Sequence, residues 1–200
     1  FYNKKNLQTL RSETVYKHQI NSPEHADQLV YEEVDETYSV YVTSSKSRKY
    51  IFISSQSTNT SEYRFIKSDE PEAEFKIIQP RTKGLEYDVA HFGDHFYLHT
   101  NLNQATNFQI MRTTVDHTTT EFWEPLLQHR KEVLVEDFEL FDLYWVVNER
   151  ENGLSRLRIL RWDQSEDYYL TMEEESYSLF FYRNPDFEST RLRYVFDSLT

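Results

Sequence analysis

Between residues 87 and 128 the chain makes four short apolar runs, EYDVAHFG, DHFYLHTN, NFQIMRTTV and EFWEPLLQ, separated by turn-rich polar spacers. Within Phe96-Tyr97-Leu98-His99 and Phe108-Gln109-Ile110-Met111 the larger apolar side chains fall largely on alternate positions, the period of a strand. This spacing predicts one four-stranded antiparallel sheet. Such a sheet has two faces to cover and two edges to protect, so it needs neighbours of its own kind.

The rest of the chain supplies them. YSVYVTSS, KYIFISSQ, SEYRFIKS and EFKIIQP form an earlier set, and VEDFELFD, LYWVVNER, LSRLRILRW and DYYLTM a later one. In the later set Leu154, Leu157 and Leu160 could also line a helix face, but the length and context of the run favour a strand. Two runs in residues 14–33 and two more in SYSLFFYRNP and RLRYVFDSL stand at the ends, while the first thirteen residues are weakly patterned. First strands begin near Tyr38, Tyr87, Phe138 and Tyr177, an interval of roughly forty to fifty residues, which is the period of β-propeller blades.

The expected fold is therefore all-β: a partial β-propeller of four-stranded antiparallel blades. Three blades are complete, at residues 38–79, 87–128 and 135–172, and two are half blades, at 14–33 and 177–200. A two-sheet sandwich is the competing architecture, since it also uses many short strands. Aromatic residues at 16% favour pleated sheet, and with three Gly and five Pro the turns must lean on Asn, Asp and Ser. The terminal half blades could pair with each other, residues 14–20 against 191–196, and close a smaller ring.

The formal net charge of −12 argues against a nucleic-acid or acidic-membrane surface and favours a cationic partner. The absence of cysteine excludes disulfides and thiolate metal sites. The polar start and missing initiator Met suggest a piece of a longer protein. Asn59-Thr60-Ser61 matches a glycosylation sequon, to which a predicted hairpin turn in a chain without a secretory signal gives little weight.

The runs DQLVYEEVDETYSVYVTSSKSRKYIFISS, TSEYRF, EYDVAHFGDHFYLHTN, NFQIMRT and RLRYVFDSLT, taken in order, resemble the propeller of the oligopeptidase B group of the prolyl oligopeptidase family. The resemblance covers nearly everything from Val15 onward. It implies a seven-bladed propeller that caps a serine-hydrolase domain of the same polypeptide, excludes large proteins and admits short peptides cut after Arg or Lys. It implies too that the N-terminal blades and the hydrolase domain lie outside this chain, and that the protein is cytoplasmic.

The residues agree independently that catalysis lies elsewhere. A nucleophile elbow needs G-x-S-x-G, yet Gly84, Gly93 and Gly153 are the only glycines and no two stand that close. No catalytic residue, metal site or cofactor is expected. His95 and His99 share a strand face and His91 precedes the turn, but nothing nearby fixes a third ligand. Two acidic runs, Glu32, Glu33, Asp35 and Glu36, then Glu173, Glu174 and Glu175, lie just before first strands and are the candidates for steering basic peptides. Solvated loop charge that keeps an aromatic-rich chain soluble is the plainer account of them. A stand-alone propeller serving as a protein-interaction module is the other functional class, although Trp162-Asp163 is a single occurrence and no repeated Gly-His signature accompanies it.

Overall fold

A computed structural model describes residues 1–198. Its strands are β1 Tyr2–Lys5, β2 Ser12–Lys17, β3 Gln28–Glu32, β4 Ser39–Ser44, β5 Tyr50–Gln56, β6 Ser61–Lys67, β7 Lys76–Ile77, β8 Tyr87–Phe92 and β9 His95–Thr100. They continue as β10 Gln109–Thr114, β11 Glu124–Leu127, β12 Val133–Leu140, β13 Tyr144–Glu151, β14 Leu154–Arg161, β15 Asp167–Tyr169, β16 Tyr177–Phe181 and β17 Tyr194–Ser198. Three sheets have four strands, β4 to β7, β8 to β11 and β12 to β15, each in sequence order. Every pair whose register is defined is antiparallel. The run from Leu154 is a strand whose buried residues alternate, as a helix would not allow.

The terminal sheets differ from the sequence expectation in two ways. The N-terminal sheet has three strands, β1-β2-β3, because the polar stretch YNKK pairs with β2, Tyr2 opposite Tyr16 with their rings stacked at 6.0 Å. Hence β2 has a partner on both sides, and β17 pairs with β16, so the composite blade closing a smaller ring is not formed. The last positions of the expected C-terminal half blade, Leu199 and Thr200, lie outside the described residues.

The chain divides into two compact units, residues 1–89 with 116–122, and residues 90–115 with 123–200, so the division falls within β8. In the first, Val15 of β2, Val40 of β4 and Ile53 of β5 are fully buried together and join the N-terminal sheet to the next. In the second, Tyr97 and Ile110 meet Val135, Trp145 and Val147, while Val146, Leu157 and Ile159 on the other face meet Leu179 of β16. Sheets within a unit thus cover each other's faces. Each fully buried Leu, Ile or Phe contributes roughly 1.5–3 kcal/mol.

The β13–β14 hairpin turns through Asn152 and Gly153, at φ 50° and 84°. Two successive left-handed residues give the turn whose twist matches the flanking strands, and Asn-Gly is the pair that adopts it most readily.

Candidate functional site

The first acidic run joins β3 to β4, and the structure divides it. Glu32, Asp35 and Glu36 are exposed, whereas Glu33 is buried. Arg81, from the segment after β7, places its guanidinium 2.6 Å from Glu33 and 3.2 Å from Glu62 of β6. The Tyr31 hydroxyl and the Asp35 N–H also donate to the Glu33 carboxylate, at 2.9 and 3.1 Å. Glu62 accepts further from the Arg81 N–H at 3.0 Å and pairs with Arg64 at 2.7 Å. Both guanidiniums lie over tyrosine rings, Arg81 on Tyr38 at 4.1 Å and Arg64 on Tyr31 at 4.3 Å.

Charge in this cluster is matched, two carboxylates to two guanidiniums. Burial would raise the Glu33 carboxyl, but Arg81 and Tyr31 outweigh it and hold the group below the usual carboxylate range. Burial likewise opposes the charge on Arg81, and Glu33 and Glu62 more than restore it. Arg11 fixes the loop from beneath, donating through Nη1 to the carbonyl oxygens of Glu33, Asp35 and Tyr38 at 3.3, 3.1 and 2.8 Å. The Asp35 carboxylate accepts from the Thr37 hydroxyl and N–H at 2.7 and 2.9 Å, which lowers its pKa.

The second acidic run precedes β16. Glu173 and Glu175 are exposed and Glu174 is half-buried. None of the three side chains has a hydrogen bond or ion pair among the described residues.

A second buried carboxylate cluster centres on Glu149 of β13, whose side chain is 1% exposed. Arg130 pairs with it, the Tyr169 hydroxyl donates to it at 2.7 Å, and Arg158 of β14 approaches to 3.8 Å. Arg158 also grips Asp167 of β15 through two bonds of 2.7 and 2.6 Å, which lowers the Asp167 pKa. The side chains of Arg156 and Arg158 lie 3.8 and 5.8 Å from the Tyr169 ring centroid.

Sequence reasoning missed Arg81, Glu62, Glu149 and Arg130. For Glu149 a signal exists: it continues the inward alternation of Trp145 and Val147, where an unpaired charge would be costly. For Glu62 the corresponding signal is its place on the face of Arg64 and Ile66.

His91 and His99 pack against neighbouring rings. His99 donates from Nε2 to the Val135 carbonyl oxygen at 2.8 Å and stacks on Phe108 at 4.5 Å, and buried His91 meets the edge of Phe96 at 5.7 Å. No group of three His, Asp or Glu side chains among the described residues is placed to hold a metal ion. No helix among them is long and apolar enough to cross a membrane.

Comparisons with known proteins agree with this blade-like construction. The family model for the prolyl oligopeptidase N-terminal beta-propeller domain matches residues 1–200. The whole chain is 38% identical to 27% of a dipeptidyl aminopeptidase BI from Pseudoxanthomonas mexicana, and 82% of it is 28% identical to 24% of a protease 2 from Moraxella lacunata. It therefore spans about a quarter of the length of these relatives. Oligopeptidase B from Leishmania major superposes with a TM-score of 0.91 at 25% identity, over 99% of this chain and 29% of that one. The Trypanosoma brucei enzyme, at 24% identity and a TM-score of 0.92, supports the fold alone. The sheets are thus blades of a partial β-propeller, and the chain belongs to the prolyl oligopeptidase N-terminal β-propeller family.

Proposed function

We propose that this chain is the substrate-gating, non-catalytic propeller part of a serine oligopeptidase that cuts short peptides after arginine or lysine. It works with a C-terminal α/β-hydrolase domain of the same polypeptide, in the cytoplasm. The observation that carries this reading is the correspondence, over 99% of the chain, with the propeller region of a protein named oligopeptidase B. The net charge of −12 suits a basic substrate. A propeller in this role controls access rather than chemistry.

Within this reading the exposed acids, Glu32, Asp35, Glu36, Glu173, Glu174 and Glu175, raise the local concentration of basic peptides. Glu33, neutralised by Arg81, holds the loop that presents the first three. The test is hydrolysis by the intact protein of matched short peptides carrying Arg, Lys, citrulline or norleucine before the scissile bond. Cleavage confined to Arg and Lys supports the proposal, and equal cleavage of all four overturns it.

A second reading draws on the 38% identity to a protein named dipeptidyl aminopeptidase. In it the intact protein removes dipeptides from a free amino terminus. Blocking that amine on the Arg peptide separates the two: an oligopeptidase still cuts it, and a dipeptidyl aminopeptidase does not.

A further inference from the structure

One cavity lies apart from the acidic runs and the buried carboxylate clusters, at an end of the sheet β4 to β7, which has all four of its strands. Its volume of 570 Å³ falls within the range of small-ligand sites. Arg48 and Lys49 of the β4–β5 turn and Tyr50 at the start of β5 line one side, and Lys67, Ser68 and Asp69, where β6 ends, line the other.

The charge at this end of the sheet runs against that of the chain. Residues 45–49 and 67–70 bring four cations, Lys46, Arg48, Lys49 and Lys67, against the two carboxylates Asp69 and Glu70, within a chain whose net charge is −12. Lys67 pairs with Glu70 at 2.9 Å, and the Asp69 charge also acts on it, so that one cation is engaged by both carboxylates. Arg48 and Lys49 are exposed, and neither side chain has an ion pair or hydrogen bond among the described residues. The Ser68 hydroxyl has no hydrogen-bond partner among them either.

The two walls are held in place by their backbones. The Arg48 N–H donates to the Ser45 carbonyl oxygen at 2.8 Å, and the Tyr50 N–H donates to the Ser45 hydroxyl oxygen at 3.0 Å. The Ser68 N–H donates to the Lys49 carbonyl oxygen at 2.8 Å, which fixes one wall to the other. Buried Tyr50 stacks on Phe52 at 6.4 Å and meets the edge of Phe65 at 5.8 Å, so the base of the turn is packed. A guanidinium presents paired N–H donors in one plane, an ammonium adds a compact charge and a hydroxyl one further donor. That set matches a group with three acceptor oxygens and close to two negative charges better than a carboxylate, which has two oxygens and one charge.

We propose that this cavity binds a phosphate group, carried on a phosphate monoester or present as the free ion, through Arg48, Lys49 and the Ser68 hydroxyl. The inference does not draw on the peptidase reading and stands or falls without it.

The test titrates the intact protein with acetyl-phosphoserine amide and with inorganic phosphate, followed by phosphorus NMR and calorimetry, with acetyl-serine amide and acetyl-glutamate amide as controls. The expected result is saturable binding of the phosphate compounds that weakens as salt is added, binding of the glutamate compound at least about threefold to tenfold weaker, and none of the serine compound. Arg48→Gln and Lys49→Gln should each reduce phosphate affinity by about threefold to tenfold, at positions whose side chains make no contact that the fold relies on. Tighter binding of acetyl-phosphoserine amide supports the site with a phosphorylated side chain as its source, and equal or tighter binding of inorganic phosphate supports it with the free ion. No saturable binding, equal binding of the glutamate compound, or unchanged affinity in both variants would overturn the proposal.

Discussion

Two buried carboxylate clusters in this chain solve different problems with the same side chains. Around Glu149 the partners are mostly neighbours in one sheet, Arg158 on β14 and Tyr169 on β15, so the cluster ties adjacent strands at one level of the ladder. Around Glu33 the partner is Arg81, 48 residues away, and the cluster ties one connecting segment to another. The first therefore belongs to strand register. The second belongs to the shape of a loop, and it spends one acidic residue to hold three others at the surface.

The contrast ranks the mutational consequences. Glu149→Leu removes the carboxylate shared by Arg130 and the Tyr169 hydroxyl and leaves the Arg130 guanidinium, 32% exposed, without that partner, for which a loss of about 3–4 kcal/mol is expected. Chemical denaturation of the intact protein checks it, and a loss below about 1 kcal/mol would dissolve the distinction between the clusters.

Arg81→Met is expected to cost less, about 1.5–3 kcal/mol, because Glu62 keeps Arg64 and the Tyr31 hydroxyl and Asp35 N–H still donate to the Glu33 carboxylate. It also alters the pH dependence. The folded-state pKa of Glu33 is depressed, so its contribution is fully present above the ordinary carboxylate value of 4.5 and is lost as pH falls through the lower folded value. Arg81→Met should flatten that acid-side slope of stability, and an unchanged slope would assign it to other carboxylates.

Gly153→Ala probes register by the other device in the same sheet, the Asn152-Gly153 turn. Nothing lies within 4 Å of a β-carbon built there, so the cost is that of the left-handed backbone alone, about 1–2 kcal/mol. The smallest stability effect, within about 0.5 kcal/mol, is expected from neutralising Glu173, Glu174 and Glu175 together. At low salt the same substitution should lower kcat/KM for basic peptides. An unchanged kcat/KM would end the steering role of that run.

The strand pattern was legible where alternation is supported by large apolar side chains, as in His95–Thr100 and Tyr144–Glu151. It failed for Tyr2–Lys5, whose pairing relies on Tyr2 stacking with Tyr16 rather than on apolar periodicity. The run EFKIIQP reads as a full strand, yet β7 keeps only Lys76–Ile77, a short outer strand with both residues exposed. Charge was the harder signal. Glu33 reads like its exposed neighbours, because the group that decides its role, Arg81, is remote in sequence and is brought near only by folding.

The proposed role of this propeller is to filter substrates by size and charge for a peptidase centre elsewhere in the same polypeptide. It is tested most directly by cleavage of one Arg-containing sequence presented to the intact protein as a short peptide, as a long unfolded chain and within a folded protein. The proposal predicts rapid cutting after Arg in the short peptide and negligible cutting in the folded protein. Comparable cutting of all three forms would contradict it.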